Sequence, residues 1–332
     1  LPEILVVIPY FQRRPGILRR ALASVAAQRL EPDVRLEVTV VDDGSPAPAA
    51  PEIDGLDLPG CVTLRLLKQP NAGVSAARNA ALTAGGGRHD FVAFLDSDDI
   101  WHEDHVATAL RALGASRDFY FCDNLNHRPG EGQSHFLASG FLEVLESPVA
   151  PGEFGVLPPA AAIRQIIERF PAQISTVMLR QRAVGSRLFP RDLRLAGEDM
   201  LFLCLCASEA RSVTFSPAAH VTCADGENIY YGAQGWDDPA HPILVLDRII
   251  SYRILRDQAA LERETASWIQ AYVRKLEVHL TYLLARQLLR RRWGVSRPIG
   301  QVWARHPSFW RRLPQNLFRA CLARMRGELM AG

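Results

Sequence analysis

FVAFLDSDDIWHEDH, residues 91–105, starts as an apolar run and ends in acids and histidines. A short apolar run bounded by polar residues reads as a buried strand of a parallel sheet. Ligands of open α/β sheets collect at the carboxyl ends of such strands. Asp96, Asp98 and Asp99 would repel one another there unless something positive lies between them, and a divalent metal meets that need.

The chain on either side repeats the pattern. ILVVIPYF (4–11), LEVTVVDDGS (36–45), VTLRLLKQ (62–69) and DFYFCD (118–123) read as strands. Between them, 15–28, 71–87 and about 102–113 read as helices, the first with apolar residues 17, 18, 21, 22 and 25 on one stripe. This alternation predicts an α/β fold with a mainly parallel sheet covered on both faces. From 130 to 159 the pattern dissolves into Gly, Pro and Ser, a long loop or hairpin. A helix over 158–170, a strand over 173–180, a helix over 197–210 and two short strands within 212–224 follow. Beyond Pro239 the chain reads as helix over 241–257 and 260–292, then as pieces broken by Pro298, Pro307 and Pro314.

The 332 residues, 48% apolar and 22% charged, predict one large domain with an appendage, or two domains, and argue against a disordered chain. No run reaches the roughly 18 apolar residues of a membrane span, and no secretory signal is read at the start. Six scattered cysteines lack zinc-site spacing and read as buried free thiols in a reducing compartment. The net charge of +2 conceals an asymmetry: residues 281–332 carry eleven arginines against Glu328, a balance of +10, and the rest of the chain carries −8. Such a tail suits an anionic partner.

The strand ends carry the candidate chemistry. Pro9 would halt the ladder, Tyr10 and Phe11 offer aromatic surface, and Asp43 offers acceptor oxygens for a base or ribose; an ordinary turn is the competing reading of VDDGS. Asn71 is a candidate N-cap and Gly73 allows a close backbone approach, as in any capped helix or at an anion site. Asp96 and Asp98 form a DxD pair whose alternation would put both side chains on one side. A sparse carboxylate set suits Mg2+ or Mn2+ with substrate phosphates better than a calcium cage. Asp99 is a further ligand or a cap of the next helix. Glu198 and Asp199 open a helix, where acids are ordinary but where a general base could also stand. His220 is a metal ligand or a buried hydrogen-bonded histidine, and His102 and His105 read as surface or capping residues.

VVIPYFQR, VVDDGSP, NAGVSAARNAAL, FLDSDD and GEDMLF, in that order, resemble the inverting family-2 nucleotide-sugar glycosyltransferases, which have the A-type glycosyltransferase fold. The resemblance covers residues 3 to about 236. Within the family, IPYFQRRPGILRRALASV (8–25) and NIYYGAQGW (228–236) resemble bacterial exopolysaccharide glucosyltransferases of the succinoglycan type. This implies a catalytic domain over 1–238, with a nucleotide-sugar-binding half (1–125) and an acceptor-binding half (126–238), then a basic helical region over 239–332. It also implies roles: Pro9, Tyr10, Asn71 and Gly73 around the nucleoside, Asp43 on the base, usually uracil, and Asp96 near the ribose and donor sugar. Asp98 would hold Mn2+ or Mg2+ on the diphosphate and Asp199 would be the catalytic base. The donor would be UDP-glucose and the acceptor a glycan or lipid-linked oligosaccharide.

Two departures stand out. The asparagine usual after IPxY is replaced in the region of Phe11 and Gln12. The QxxRW of processive synthases survives only as Gln234-Gly235-Trp236, which points to one sugar per encounter. The location implied is cytoplasmic, with the basic, Trp-bearing tail either on an anionic membrane surface or packed with its arginines solvated. No nucleic-acid motif is present. A nucleotidyltransferase would need a Gly-rich phosphate loop where PYFQRRPG stands. A non-catalytic sugar- or nucleotide-binding protein would not need both DxD and ED.

Overall fold

The computed structural model describes residues 1–126, 132–150, 152–223, 235–236, 238–290 and 296–326. Of NIYYGAQGW only Gly235 and Trp236 lie among the described residues; Gln234 and Trp293 lie outside them. By internal contacts the chain forms two compact units, Leu1–Arg191 with Phe202–Glu227, and Asp192–Leu201 with Asn228–Gly332. The short segment Asp192–Leu201 therefore groups with the C-terminal helices, where a simple cut at 238 would not put it.

The strands are β1 Glu3–Tyr10, β2 Arg35–Asp42, β3 Val62–Lys68, β4 Phe91–Phe94, β5 Ile100–Trp101, β6 Phe119–Asn126, β7 Gly155–Leu157, β8 Met178–Arg180 and β9 Val213–Cys223. Helices α1 Ile17–Ala26, α2 Ala50–Ile53, α3 Val74–Gly85, α4 His105–Leu113, α5 His135–Ala138, α6 Pro159–Arg169, α7 Gln181–Val184 and α8 Glu198–Glu209 lie between them. The sheet runs β3-β2-β1-β4-β8-β6-β9-β5, with β7 on β9. β3, β2, β1 and β4 are parallel, and the chain reverses its direction of winding between β1 and β4. That is the switch point at which ligands of such sheets bind.

Local sequence explains these elements. β1 is buried from Ile4 to Tyr10 because it is central and covered on both faces. Small residues let α3 lie close on it: a Cβ on Gly85 would stand 2.6 Å from Leu5 Cδ2. Pro9 does not halt the whole ladder. β1 stays paired with β2 as far as Tyr10↔Asp42, whereas its pairing with β4 ends at Val7↔Phe94. Val7 O accepts from Leu95 on the β4 side and Tyr10 O accepts from Asp43 on the β2 side. Alternate residues thus face opposite neighbours, and the amide that Pro9 lacks falls on the β4 side, where the ladder ends after the Leu95 N to Val7 O bond.

The other half of the sheet is mixed. β8 is antiparallel to both β4 and β6, β9 is parallel to β6, and β5 and β7 are antiparallel to β9. The two short strands expected within 212–224 are one strand, and its register against β6 shifts where Pro217 removes a donor. The region 130–159 is not a plain loop: α5, a 3-10 turn at Leu142–Val144 and β7 fall within it.

Gly155 lies opposite Phe215, and a Cβ there would stand 2.1 Å from the ring. Phe215 in turn packs on Phe121, Phe136 and Phe141. Gly155→Ala is therefore an overpacking substitution. It is expected to cost about 1–3 kcal/mol, read as a lower urea midpoint with an unchanged slope.

The second unit is helical: α9 His241–Gln258, α10 Arg263–Leu289, α11 Ser296–Arg305, α12 Ser308–Arg311 and α13 Leu313–Met325. Pro298 and Pro314 stand in the first turns of α11 and α13, where a missing amide costs nothing, so they start helices instead of breaking them. Buried Glu277 accepts from His306 Nε2 at 2.8 Å and Arg312 Nη2 at 2.6 Å. Phe309 is fully buried, whereas Trp303 and Phe318 are 66% and 67% exposed. Among the described residues no helix is long and apolar enough to cross a membrane. Cys122, Cys204 and Cys206 are buried; Cys321 is exposed.

Candidate active site

The register of the four parallel strands brings their carboxyl ends to one rim, which collects the loops after β1, β2, β3 and β4. Asp42 and Tyr10 build the loop after β2 from inside. Asp42 accepts from Ser45 N at 2.9 Å and Ala49 N at 3.0 Å. Tyr10 OH stands 2.8 Å from Ala47 O and 2.9 Å from Glu52 Oε1, two acceptors that share its one proton. Burial first, then the Glu52 carboxylate, hold the Tyr10 phenol well above its ordinary range. The Tyr10 ring is fully buried in the core, so it supports the rim from beneath and offers no open aromatic wall.

Asp43 ties the loop after β3 to the loop after β2. Its Oδ1 accepts from Gln69 Nε2 at 2.7 Å and Ala72 N at 2.8 Å, and its Oδ2 from Gly73 N at 2.8 Å. Asn71 Nδ2 donates back to Asp43 O at 3.1 Å. The N-cap of α3 is Gly73, at φ 94, and Asn71 stands outside the helix. Gly44 completes the junction: a Cβ there would meet Asn71 N at 2.9 Å, and its φ of +70 favours glycine. An ionised carboxylate has about four acceptor positions, so three protein donors leave room for one more. Asp43→Asn would turn an amide donor onto at least one backbone N–H. It is expected to cost about 1–3 kcal/mol, seen in urea unfolding and in faster exchange of the Ala72 and Gly73 amides.

The acids after β4 form a turn, not a continued strand. Asp99 N bonds to Asp96 O at 3.0 Å, so the alternation expected of the DxD pair does not apply. Ser175 is the anchor, its Oγ accepting from Asp96 N at 3.0 Å and donating to Asp99 Oδ2 at 2.5 Å. Arg78, buried on α3, places Nη2 2.9 Å from Asp96 Oδ1. Gln12 joins this turn to the loop after β2, with N on Ser45 Oγ at 3.2 Å and Nε2 on Ser97 Oγ at 3.3 Å. Its buried Oε1 has no hydrogen-bond partner among the described residues. Cys223, closing β9, stands near the same turn, where burial and then the carboxylates of Asp99, Asp96 and Asp98 push its thiol up.

Asp99 is buried on Ser175 and is not the N-cap of α4, a position that Asp104 holds. His220 Nδ1 stands 3.0 Å from Asp104 Oδ1 and its Nε2 3.4 Å from Ser216 Oγ. Both ring nitrogens of buried His220 thus have polar neighbours, a carboxylate on Nδ1 and a hydroxyl near Nε2. Burial opposes ionisation of Asp104, but the His220 hydrogen bond and charge hold its carboxyl below the usual range. His105 is no surface residue: it is fully buried beside Trp101, and burial, then the charge of His220, pushes it down to about 3. His102 Nε2 meets Thr222 Oγ1 at 2.9 Å.

Among the described residues, no three His, Cys, Asp or Glu side chains are grouped to hold a metal. Mg2+ and Mn2+ take one or two carboxylates, with substrate phosphates and water supplying the remaining ligands. The turn with half-buried Asp96 and Asp98 fits an ion that arrives with a diphosphate, and does not fit one caged by protein alone. In the second unit, Glu198 and Asp199 form the first turn of α8, both half-buried, and Asp199 Oδ1 accepts from Met200 N at 2.7 Å.

Sequence reading missed Gln12, Arg78 and Ser175 as parts of this site. Arg78 left a signal, since a guanidinium among the alanines of a close-packed helix requires a carboxylate.

Residues 5–168 match the family model described as Glycosyl transferase family 2. The succinoglycan biosynthesis protein ExoW of Rhizobium meliloti (strain 1021) is 34% identical over 237 residues, 70% of this chain and 72% of that protein. The solved structure of S. aureus TarS 1-349 in complex with UDP-GlcNAc matches with a TM-score of 0.53 at 20% identity, over 86% of this chain and 72% of that one. The mannosyltransferase PcManGT from Pyrobaculum calidifontis, in complex with GDP-Man and Mn2+, matches with a TM-score of 0.52 at 16% identity, over 98% of this chain and 87% of that one. At these identities the two structures establish the shared A-type architecture.

Proposed function

The chain belongs to glycosyl transferase family 2, a family of enzymes, and from there we propose a metal-dependent, inverting transferase that adds one sugar per encounter. The donor is a nucleotide sugar, UDP-glucose, and the acceptor a glycan or lipid-linked oligosaccharide in exopolysaccharide or cell-surface polysaccharide synthesis. The part of ExoW in succinoglycan biosynthesis supports the pathway class, and the UDP-GlcNAc and GDP-Man bound by TarS and PcManGT support the donor class.

One observation carries the reading: Asp43 with its clamped loop and the Asp96–Asp98 turn occupy the same rim, joined through Gln12. Asn71, Gly73 and Pro9 would border the nucleoside, with the last acceptor position of Asp43 turned to the base. Asp96, its charge matched by Arg78, would face the ribose and sugar. Asp98 would hold Mn2+ or Mg2+, which when bound stabilises the negative charge of the departing diphosphate. Asp199 would take the proton of the acceptor hydroxyl while that oxygen bonds to C1 and the C1–O bond to the diphosphate breaks. A single displacement inverts C1, so an α-linked donor gives a β-linked product.

A panel of nucleotide sugars, assayed for nucleoside diphosphate release with Mn2+, Mg2+ or chelator, tests the reading. UDP-glucose is expected to turn over fastest, and only with metal. No metal-dependent turnover of any donor would retire it.

For the tail, we place exposed Trp303 and Phe318, with their neighbouring arginines, on an anionic membrane surface at the cytoplasmic side. The expected result is sedimentation with vesicles containing anionic lipid, weakened by salt. Equal recovery with neutral vesicles would remove the membrane from the scheme.

A further inference from the structure

The segment that leads into Asp199 is held by the C-terminal helices at its backbone. Asp247, fully buried on α9, accepts at Oδ2 from the backbone amides of Arg194 and Leu195, both at 3.0 Å. Arg305, at the end of α11, places Nη2 2.7 Å from Asp247 Oδ1 and donates to Asp192 O at 2.8 Å. One ion pair, its carboxylate buried and its guanidinium partly so, therefore grips three backbone groups of a short non-helical stretch. One helical turn beyond Asp247, on the same face of α9, Ser251 donates to Arg248 O and is the surface on which Gly197 lies. Gly197 has φ +83, and a Cβ there would stand 2.6 Å from Ser251 Oγ. The backbone reaches α9 more closely than any side chain permits, two residues before Asp199.

A buried ion pair is a poor device for stability alone, since apolar residues of similar volume often do as well or better. Its distinctive capacity is to fix donors and acceptors in direction, and here the groups it fixes are the amides and carbonyl ahead of α8. Leu201 N bonds to Gly197 O at 3.1 Å, so the first turn of α8 starts from the held residue itself.

We propose that Asp247, Arg305 and Ser251 are positioning residues that set the placement of Asp199, which gives the C-terminal helices a part in turnover besides any surface they dock on. This rests on Asp199 being the base. Small misplacement of a reacting group lowers rate without weakening donor binding. Arg305→Met is the working variant because its side chain is only partly buried and the unit should fold without it.

With UDP-glucose and Mn2+, Arg305→Met is expected to lower kcat up to about 10²-fold. Donor KM should stay within about twofold. Arg305→Lys should recover most of the loss, and Arg305→Met combined with Asp199→Asn should be no slower than Asp199→Asn alone. Hydrogen exchange gives a second measurement that needs no donor: in Asp247→Asn the Arg194 and Leu195 amides should exchange faster while the β1 and β2 amides keep their protection. Unchanged kcat in Arg305→Met, or unchanged exchange at 194 and 195, overturns the proposal. Full turnover by Asp199→Asn alone overturns the base assignment instead, and the exchange result then still reports whether the tether exists.

Discussion

Asp199→Asn is expected to lower turnover by roughly 10²–10⁴, the usual worth of a general base, while the donor still binds. The substitution is nearly isosteric, and an asparagine Oδ1 can still accept from Met200 N, as Asp199 does at 2.7 Å, so the first turn of α8 should form. What is removed is the capacity to take a proton from the acceptor hydroxyl. Calorimetry with UDP and Mn2+ should give wild-type affinity, and the loss should fall on kcat and on kcat/KM alike, as for an interaction made only in the transition state. Glu198→Gln, the neighbouring acid, is the control. If its loss equals or exceeds that of Asp199→Asn, the base has been assigned to the wrong carboxylate.

Asp98→Ala is expected to abolish the metal-dependent part of donor binding. Each of the other two acids in the turn carries a second structural duty. Asp96 is matched to buried Arg78, and Asp99 is fixed on Ser175, so removing either would disturb an anchor as well as a ligand. Asp98, half-buried between them, is the acid to which the ion is assigned, and so the one whose loss tests it. A direct ligand should cost more than the roughly 10–100-fold that outer-shell losses cost in metal affinity. Titration with UDP, with and without Mn2+, should therefore lose its metal dependence. Unchanged affinity in the presence of Mn2+ would place the cation elsewhere.

The parallel half of the sheet was legible because β1 and β4 are continuous apolar runs, β2 and β3 are rich in Val and Leu, and helices of readable period lie between them. The mixed half was not. β8 has only three residues, and nothing local in MLR announces an antiparallel strand lying between β4 and β6. Pro217 split one strand into two on paper, since a missing donor in sequence looks like an end, whereas the structure absorbs it as a register shift. At the site, residue types were readable and directions were not. Asp43 and the DxD acids announce themselves, but which way Tyr10 points depends on Glu52, forty-two residues away, and the partners of His220 on Asp104, a hundred and sixteen away. The long-range partners of these side chains leave little periodic trace in the chain.

The central strand β1 also acts as a ruler. It alone joins β2 to β4, so the spacing between the Asp43 junction and the acidic turn is set by one eight-residue strand read on both edges. A slip of one residue on one edge would shift the two loops relative to each other by about 3.3 Å and send alternate side chains to the opposite face. Length changes should therefore be tolerated in the connections that leave the sheet and be ruinous inside β1, whose gauge the nucleotide must match.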